Sequence, residues 1–364
     1  MPEIIFLIIL SGYFIQSVLF VIGAKKVFPR LDDKDLPTAT VIVAARNEEE
    51  NISRCLESLG KLEYPEGKLE VILVNDRSAD KTGELIDSFI STRENFRKII
   101  PDEPKGKMVG KVNALATGIK EANGEVILTT DADCEVKPAW VKTIASHYTN
   151  DVGMVDSYTS QLAFNSFSGM QSIDFIYLLM VAGGTINLGA PITCIGNNMS
   201  FRKKAYMEAG GYESLPFSVT EDFTLLRAIY KLEKYKILFP LDKDALVTST
   251  PCSSFKQLYH QKKRWSVGGL GVPFRGFLIM FWGYIAHLCM LLTPLFYSPV
   301  WLYLFFFKII IDFFVLYPIH KRLGISKNLK YFLVHQVYYI LYVLLLPFIV
   351  LASRKVVWKG REYK

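Results

Sequence analysis

The stretch "GEVILTTDAD" (residues 124–133) predicts a buried β-strand that ends in two carboxylates, those of Asp131 and Asp133. Its apolar run has no alternating polar face, which is typical of a strand covered on both sides. An isolated D-x-D favours a simple turn, because an Asp side chain readily binds its own backbone where a strand ends. The surrounding sequence therefore has to decide between a turn and a functional site.

Two more buried strands are predicted upstream, "ATVIVAA" (39–45) and "LEVILVND" (69–76). Helical segments separate the strands, and the first of them, "RNEEENISRCLESLGKL", has Asn47 as its predicted N-cap and acidic residues in its first turn. This alternation predicts an α/β fold in which Asp76, Asp131 and Asp133 lie at the carboxyl ends of strands, where ligands collect. No G-x-G-x-x-G follows the first strand and no Walker motif is present, so neither a dinucleotide dehydrogenase nor a P-loop NTPase is indicated.

Part of the chain is too apolar for a purely soluble protein, with 51% hydrophobic residues and a mean hydropathy of +0.23. Residues 4–24 are uncharged and long enough to span a bilayer, and the basic Lys25 and Lys26 follow them, which favours an uncleaved anchor with its N-terminus outside over a signal peptide. Three further apolar segments lie at roughly 276–297, 299–319 and 331–352. We therefore expect a multi-pass protein of the inner cell membrane, with an anchor (1–28), a cytoplasmic catalytic domain (29–272) and a C-terminal membrane region with a basic tail (273–364).

The net charge of +7 belongs to the membrane part of the chain. Eleven Lys and Arg residues but only two acidic residues follow position 273, whereas the preceding part carries 31 basic and 33 acidic residues. Such a distribution indicates cytoplasmic flanks facing anionic lipid and gives no nucleic-acid footprint. The 320–330 loop and the tail are both basic yet flank one apolar segment, so we expect either that the segment containing Pro347 is re-entrant or interfacial, or that one of the preceding two does not span.

Cysteine and histidine usage adds two expectations. The five cysteines are scattered without C-x-x-C spacing, which indicates reduced thiols in a cytoplasm-facing protein. The five histidines form no spaced cluster and so predict no zinc site.

Six motifs occur in a fixed order over about residues 39–265: "VIVAARNEEENI", "VILVNDRSADKT", "GKVNALATGIKEANGEVILTTDADC", "GNNMSFRKKAYMEAGGY", "TEDFTLLRAI" and "QKKRW". In this order they resemble the nucleotide-sugar-dependent glycosyltransferases of family 2. The resemblance implies the GT-A fold, a Rossmann-like mixed α/β sheet, here with N-terminal and C-terminal transmembrane helices. It also implies a nucleoside-diphosphate-sugar donor and a Mg²⁺ or Mn²⁺ ion.

The resemblance also assigns roles at the strand ends. Asp131 and Asp133 would clamp the metal and the sugar nucleotide, with Asp133 touching the metal most directly. The remaining nucleotide-sugar contacts would come from Ala45, Arg46, Glu48, Asp76 and Lys111. Simpler interpretations stand beside these: a helix N-cap for Asp76, an exposed helix lysine for Lys111 and an acid facing the helix dipole for Glu48.

On the acceptor side, the resemblance makes Asp222 the base that takes a proton from the attacking hydroxyl. The alternative is helix capping, with Thr220 as the cap and Asp222 favourable to the helix dipole. Gln261, Arg264 and Trp265 of Q-x-x-R-W would present a guanidinium to the diphosphate and an aromatic wall to the acceptor. We interpret the intervening Lys262 and Lys263 as a basic interfacial helix face.

Three functions remain open from the sequence. The apolar segments are few for a glycan channel, and "VVWKGREY" (356–363) is similar to the tails of lipid-glycosylating members, which favours the transfer of one hexose, with UDP as the expected nucleotide, to a lipid acceptor. A processive polysaccharide synthase also carries Q-x-x-R-W. A non-catalytic membrane protein that binds nucleotide sugars is the third hypothesis.

One motif departs from the family pattern. "VNDRSAD" has Asn75 and Arg77 where the family often has D-D-G, which leaves the contact with the nucleotide base open.

Overall fold

The computed structural model describes residues 1–104, 108–358 and 361–363. The chain forms two compact units. The α/β unit consists of Lys26–Ser160 and Cys194–Thr250, and the helical unit consists of Met1–Lys25, Gln161–Thr193 and Pro251–Lys364. The central segment of the helical unit is therefore inserted into the sequence of the α/β unit.

The α/β unit is built on a mixed sheet. Its strands are β1 (Ala39–Ala45), β2 (Leu69–Asn75), β3 (Phe96–Ile99), β4 (Val126–Asp131), β5 (Cys134–Glu135), β6 (Val152–Asp156), β7 (Thr159–Gln161), β8 (Met199–Arg202), β9 (Lys236–Leu238) and β10 (Val247–Ser249). The large sheet has the order β3-β2-β1-β4-β8-β6-β9, and β5, β10 and β7 form a second sheet. In the large sheet β1, β2, β3 and β4 run parallel, while β8 is antiparallel to both β4 and β6.

Helices cover this sheet: α2 (Ile52–Leu59), α3 (Thr82–Ile90), α4 (Lys111–Glu121), α5 (Trp140–Ala145), α7 (Lys203–Glu208), α8 (Gly211–Ser214) and α9 (Glu221–Lys231). The strands β1, β2 and β4 are apolar on both faces, and Val41, Leu73 and Leu128 are fully buried in one core with Trp140. That burial is the physical reason for their unbroken apolar runs. The predicted α/β fold is confirmed, and β1 has the predicted bounds.

The first helix differs from the sequence expectation. Asn47 is not an N-cap, since α2 begins only at Ile52 after Asn51. Asn47 has a φ of 52°, in the left-handed region, and its side-chain oxygen accepts a hydrogen bond from the Ala79 backbone N–H. Residues 46–51 therefore form a turn tied to the loop after β2, and Glu48 does not lie in the first turn of a helix.

The helical unit contains α1 (Pro2–Ala24), α6 (Ser166–Asn187), α10 (Phe255–Gly269), α11 (Phe274–Leu291), α12 (Pro299–Leu323), a 3-10 helix (Ser326–Tyr331), α13 (Phe332–Ala352) and the hairpin β11 (Val356–Trp358) and β12 (Arg361–Tyr363). Within the described residues, five helices are long and apolar enough to cross a membrane: α1, α6, α11, α12 and α13 with the preceding 3-10 helix. Lys359, Gly360 and Lys364 of the predicted basic tail lie outside the described residues.

Helix α6 was not among the predicted apolar segments. Its apolar window is 89% buried, whereas 22–33% of the windows of the other four helices is buried. A Cβ at Gly23 of α1 would lie 2.3 Å from the Gly184 carbonyl of α6, and the Asn187 amide donates to the Gly23 carbonyl over 3.0 Å. The two helices therefore cross at small residues, as membrane helices often do.

The domain boundaries of the sequence analysis cut across this grouping. The predicted catalytic domain, 29–272, runs through segments 161–193 and 251–272, which group with the terminal helices in the structure. An inserted helix that buries its apolar surface against α1 gives no boundary signal in the local sequence.

Candidate functional site

The ends of β1, β2 and β4 bring several predicted site residues to one edge of the sheet. Ala45 pairs in register with Asn75, and the Asp76 N–H donates to the Ala45 carbonyl over 2.8 Å. Asp131 lies on the other side of β1, in register with Ala44. This convergence follows from the parallel strands, whose carboxyl ends meet at the same edge.

Asp76 is held by Arg46 and does not cap a helix. The Arg46 guanidinium lies 3.2 Å from the Asp76 carbonyl and 3.4 Å from its carboxylate, which is buried. Helix α3 starts later, after Lys81, so the capping interpretation of Asp76 is wrong. Ala45, Arg46 and Asp76 therefore form one continuous wall at this edge of the sheet.

Glu48 lies in the turn that follows this wall. Its backbone N–H donates to the Thr82 hydroxyl over 2.8 Å, and its carboxylate accepts a hydrogen bond from the Asn51 amide over 3.1 Å. Asn51 belongs to the same turn and Thr82 is the first residue of α3, so these bonds fix the turn against the start of α3.

Lys111 connects the end of β4, which carries the D-x-D residues, to the start of α9, which carries Glu221 and Asp222. Its ammonium lies 2.6 Å from the Asp131 carboxylate and 3.3 Å from the Glu221 carboxylate. Burial alone lowers the pKa of Lys111, but the two carboxylates outweigh it and raise the pKa well above its ordinary value. Lys111 is therefore a permanent cation inside the site, and its interpretation as an exposed helix lysine is wrong.

Asp133 is fixed through its backbone and one thiol. The Asp133 carbonyl accepts a hydrogen bond from Arg54 over 2.8 Å, and the Cys134 thiol donates to the Asp133 carboxylate over 3.4 Å. Burial, and then the charge of Asp133, raise the pKa of Cys134 well above its ordinary value, so this side chain stays a protonated donor.

Asp222 is the second residue of helix α9, directly after Glu221. Its carboxylate accepts the Phe223 backbone N–H over 2.8 Å, and Thr220 makes no side-chain capping bond. Thr220 occupies the N-cap position as the capping interpretation predicted, but its side chain does not supply the capping hydrogen bond. A Cβ at Gly196 would lie 3.2 Å from the Asp222 carboxylate, so the loop before β8 can approach this carboxylate closely because residue 196 is a glycine.

A further carboxylate, Asp156, supports that loop. It is fully buried and accepts backbone N–H groups of Ser157 over 2.9 Å and Ile195 over 3.0 Å. Burial raises the pKa of Asp156 well above its ordinary value, and the charge of Asp222 adds to the increase. Asp156 ends the apolar strand β6 in the same way that Asp131 ends β4, and this shared pattern was available in the sequence.

The Q-x-x-R-W residues lie on α10 of the helical unit. Gln261, Arg264 and Trp265 are half-buried there. The Trp265 ring stacks on Phe175 of α6 at 5.4 Å between centroids, and the Lys262 ammonium lies 4.5 Å from the Trp265 ring centroid.

The structure contradicts the interpretation of Lys262 and Lys263 as a basic interfacial helix face. Lys262 and Lys263 are 6% and 9% exposed, so they do not form a solvated basic face. Lys262 forms a buried ion pair with Asp174 of α6. A partner 88 residues away leaves no local sequence signal.

The predicted Mg²⁺ or Mn²⁺ site at Asp131 and Asp133 offers few protein donor groups. No set of three or more His, Cys, Asp or Glu side chains converges in the part of the chain that the structure describes. Two carboxylates at a strand end suit an ion that takes most of its ligands from a diphosphate and from water, which is the usual behaviour of Mg²⁺ and is shared by Mn²⁺. Asp131 and Asp133 fit such an ion.

Comparison with known families decides the class of protein. The profile of glycosyl transferase family group 2 matches residues 126–353, and that of glycosyl transferase family 2 matches residues 40–208. The chain belongs to the family 2 glycosyltransferases. The enzyme class that the motifs implied is thereby confirmed, and the non-catalytic reading is set aside.

Two curated relatives of this glycosyltransferase cover most of its length. The probable glycosyltransferase YdaM of Bacillus subtilis is 29% identical over 80% of this chain and 70% of the relative. The poly-β-1,6-N-acetyl-D-glucosamine synthase of Staphylococcus aureus is 28% identical over 73% of this chain and 62% of the synthase. The chain thus spans less than two thirds of the synthase.

A solved structure supports the fold of the glycosyltransferase. The mannosyltransferase PcManGT from Pyrobaculum calidifontis, determined with GDP-Man and Mn²⁺, has a TM-score of 0.58 and 19% sequence identity. The match covers 93% of this chain and 99% of that one. It confirms the GT-A fold with helices before and after the sheet.

Proposed function

We propose that this glycosyltransferase moves a hexose from a nucleoside-diphosphate sugar, with UDP as the nucleotide, to the hydroxyl of a membrane lipid, with inversion at the anomeric carbon. The observation that carries the proposal is the Lys111 ammonium, which joins Asp131 of the D-x-D strand to Glu221 beside Asp222. Donor-side and acceptor-side carboxylates are therefore parts of one charged cluster.

The donor side would neutralise a diphosphate. Asp131 and Asp133 would hold a Mg²⁺ or Mn²⁺ ion, which acts as a Lewis acid on the departing diphosphate when it is bound. Lys111 adds a second positive charge that needs no protonation step. The wall of Ala45, Arg46 and Asp76, with Glu48 in the adjoining turn, would take the nucleoside.

The acceptor side needs a base. Asp222 would accept the proton of the lipid hydroxyl while the hydroxyl oxygen attacks the anomeric carbon opposite to the leaving diphosphate. We assign Asp156 a positioning role, because its two backbone hydrogen bonds fix the loop that packs on Asp222. Gln261 and Arg264 would contact the diphosphate, and Trp265 would hold α10 against α6.

The apolar helices support a membrane location. Of the five candidate spans, α1, α11, α12 and α13 leave most of their surface exposed, and that surface is apolar. We assign the protein to the inner cell membrane with the α/β unit on the cytoplasmic side, since Lys25 and Lys26 follow α1.

The test is transfer by the purified full-length protein with a panel of UDP- and GDP-sugars, Mn²⁺ or Mg²⁺, and a total lipid extract. We expect metal-dependent release of nucleoside diphosphate together with one new glycolipid. Asp222→Asn should lower transfer by about 10²–10⁴-fold, the usual contribution of a general base, while donor affinity is retained. Asp87→Asn, which changes an exposed carboxylate of α3, is the matched control. Unchanged turnover in Asp222→Asn would remove this residue from the role of base.

A processive synthase is the second candidate, because the Staphylococcus aureus synthase is 28% identical over 73% of this chain. Separation of the products into an organic and an aqueous phase distinguishes the two. A labelled water-soluble polymer in place of a glycolipid would replace the lipid transferase by the synthase.

A further inference from the structure

Two side chains from other parts of the α/β unit hold the backbone of Asp133. Asp133 directly precedes β5, and in the antiparallel pairing of β5 with β10 Cys134 lies opposite Ser249. The next pair in this register would be Asp133 with Thr250. At that step side chains bind the Asp133 carbonyl, which lies 2.8 Å from a guanidinium nitrogen of Arg54 and 3.3 Å from the Thr250 hydroxyl. Arg54 and Thr250 therefore hold the D-x-D turn where the strand pairing ends.

One nitrogen of Arg54 connects both partners. It donates to the Asp133 carbonyl and, over 2.6 Å, to the Thr250 hydroxyl. Hydrogen bonds from a charged donor are shorter than neutral ones and about twice as strong. Arg54 is the third residue of α2, which is anchored in the core by the fully buried Ile52 and Cys55. The position of the Asp133 backbone is therefore set by a packed helix and not by the turn alone.

The same hydrogen bonds reach the turn that contains Glu48. The Thr250 hydroxyl lies 3.4 Å from the Asn51 amide oxygen, and the Asn51 amide nitrogen donates to the Glu48 carboxylate over 3.1 Å. The single proton of the Thr250 hydroxyl can go to Asn51 or to Asp133 at one time, whereas both Arg54 contacts persist in either arrangement. Arg54 is therefore the constant member of the network.

An ion pair with Glu135 does not account for the orientation of Arg54. The Arg54 Nε atom lies 3.9 Å from the Glu135 carboxylate, which is too far for a hydrogen bond, and half of the Glu135 side chain is exposed. Exposed ion pairs contribute little to stability. The short contacts of Arg54 go to Asp133 and Thr250, so its specific role concerns the D-x-D turn.

We propose that Arg54 is a positioning residue for the metal and diphosphate site, because it holds the Asp133 backbone where the Asp133 carboxylate meets the ion. The inference deepens the proposed function and rests on its assignment of a Mg²⁺ or Mn²⁺ ion to Asp131 and Asp133. Groups that orient a metal ligand typically change metal affinity or activity by about 10–100-fold when they are lost. Arg54 acts through Asp133 and needs no contact of its own with the ion.

The experiment measures equilibrium binding of radiolabelled UDP and, in parallel, GDP to the purified full-length protein at increasing Mn²⁺ concentrations, without an acceptor. We expect Arg54→Gln to raise the Mn²⁺ concentration for half-maximal nucleotide binding by about 10–100-fold. Arg54→Lys should restore part of this loss, because an ammonium can donate to the same carbonyl. Thr250→Val should cause a smaller loss, and Thr250→Ser, which keeps the hydroxyl, should bind like the wild type.

Arg93→Gln is the matched control, because it removes an arginine that donates to a different backbone carbonyl, that of Phe89 in α3, over 2.7 Å. Donor hydrolysis distinguishes positioning from folding. The kcat of Arg54→Gln at saturating Mn²⁺ should stay close to that of the wild type, since added ion offsets the weaker site. A lower kcat with an unchanged Mn²⁺ dependence would mean that Arg54 serves only the fold, which overturns the inference.

Asp133→Asn distinguishes failure of this inference from failure of the proposed function. Loss of Mn²⁺-dependent nucleotide binding in Asp133→Asn, together with an unchanged or tighter Mn²⁺ dependence in Arg54→Gln, would retain the metal site and reject the role of Arg54. Wild-type binding in Asp133→Asn, or no Mn²⁺-dependent binding of either nucleotide by the wild type, would reject the proposed metal site and the inference with it.

Discussion

At the scale of single residues, Lys111 is the clearest test of the charged cluster. Lys111→Gln should lower kcat/KM for the donor by about 10²–10³-fold, since a preorganised charge at a developing anion contributes on that order. The apparent Mn²⁺ affinity should not fall, because the variant frees Asp131 from a competing cation. Donor hydrolysis titrated with Mn²⁺ measures both quantities.

Lys120→Gln, at an exposed position of the same helix, is the control for the loss of one positive charge. An unchanged kcat/KM in Lys111→Gln would show that the ion pair serves only the fold. A large loss of Mn²⁺ affinity would show that Lys111 orients Asp131 for the metal and does not compete with it.

The sequence predicted residues whose environment is local and missed residues whose partners are distant. The positions of Asp76 and Asp131 at strand ends were predicted because a buried strand that ends in a carboxylate is visible as a pattern. Asp156 ends β6 in the same pattern, so the sequence contained a usable signal for it. Glu221 gave none, since its partner Lys111 lies 110 positions away and only the fold brings the two together.

At the scale of elements, distant partners also explain why α6 was not predicted and why the lysines of α10 were misinterpreted. Helix α6 contains polar residues such as Gln171 and Asp174 among its apolar ones, because protein and not lipid covers its faces. Local hydropathy therefore does not distinguish it from a helix of the α/β unit. The parallel strands β1, β2 and β4, whose apolar runs have no such ambiguity, were predicted to within two residues of their observed ends, whereas the parallel strand β3 was not predicted.

The buried pair of Lys262 and Asp174 joins α10 to α6 and gives an element-scale prediction. Lys262→Met or Asp174→Leu alone should destabilise the helical unit by about 3–5 kcal/mol, because each leaves one charge buried and unpaired. The double variant should recover most of this loss. Thermal unfolding of the four proteins in detergent gives the coupling energy.

Sugar transfer measured in the same four proteins distinguishes a loss of stability from a loss of activity. Gln261 and Arg264 share α10, so transfer should fall in each single variant and return in the double variant if the pair acts by positioning the helix. Additive unfolding effects without recovery would mean that the two side chains do not act as a pair.

At the scale of the whole molecule, chain continuity decides how many helices can cross the membrane. Segment 161–193 is preceded and followed in the chain by residues of the α/β unit, so we predict that both ends of α6 lie on one side of the membrane and that α6 does not cross it. Helix α10 precedes the first C-terminal span, and β11 packs against α10. We therefore predict that the tail lies on the same side of the membrane as the loop before α13, with α1, α11 and α12 as the crossings, which would account for the basic residues at both ends of α13.

This topology predicts which introduced cysteines react with a membrane-impermeant maleimide in intact cells. In a background without Cys252 and Cys289, Tyr297→Cys in the α11–α12 connection should label from outside. Lys327→Cys and Arg354→Cys, at the two ends of α13, should label only after permeabilisation. All three positions are exposed, so a difference in labelling reports the side of the membrane and not burial. Labelling of Arg354→Cys from outside would mean that α13 crosses and that Pro347 sits in a spanning helix, in conflict with the packing of β11 on α10.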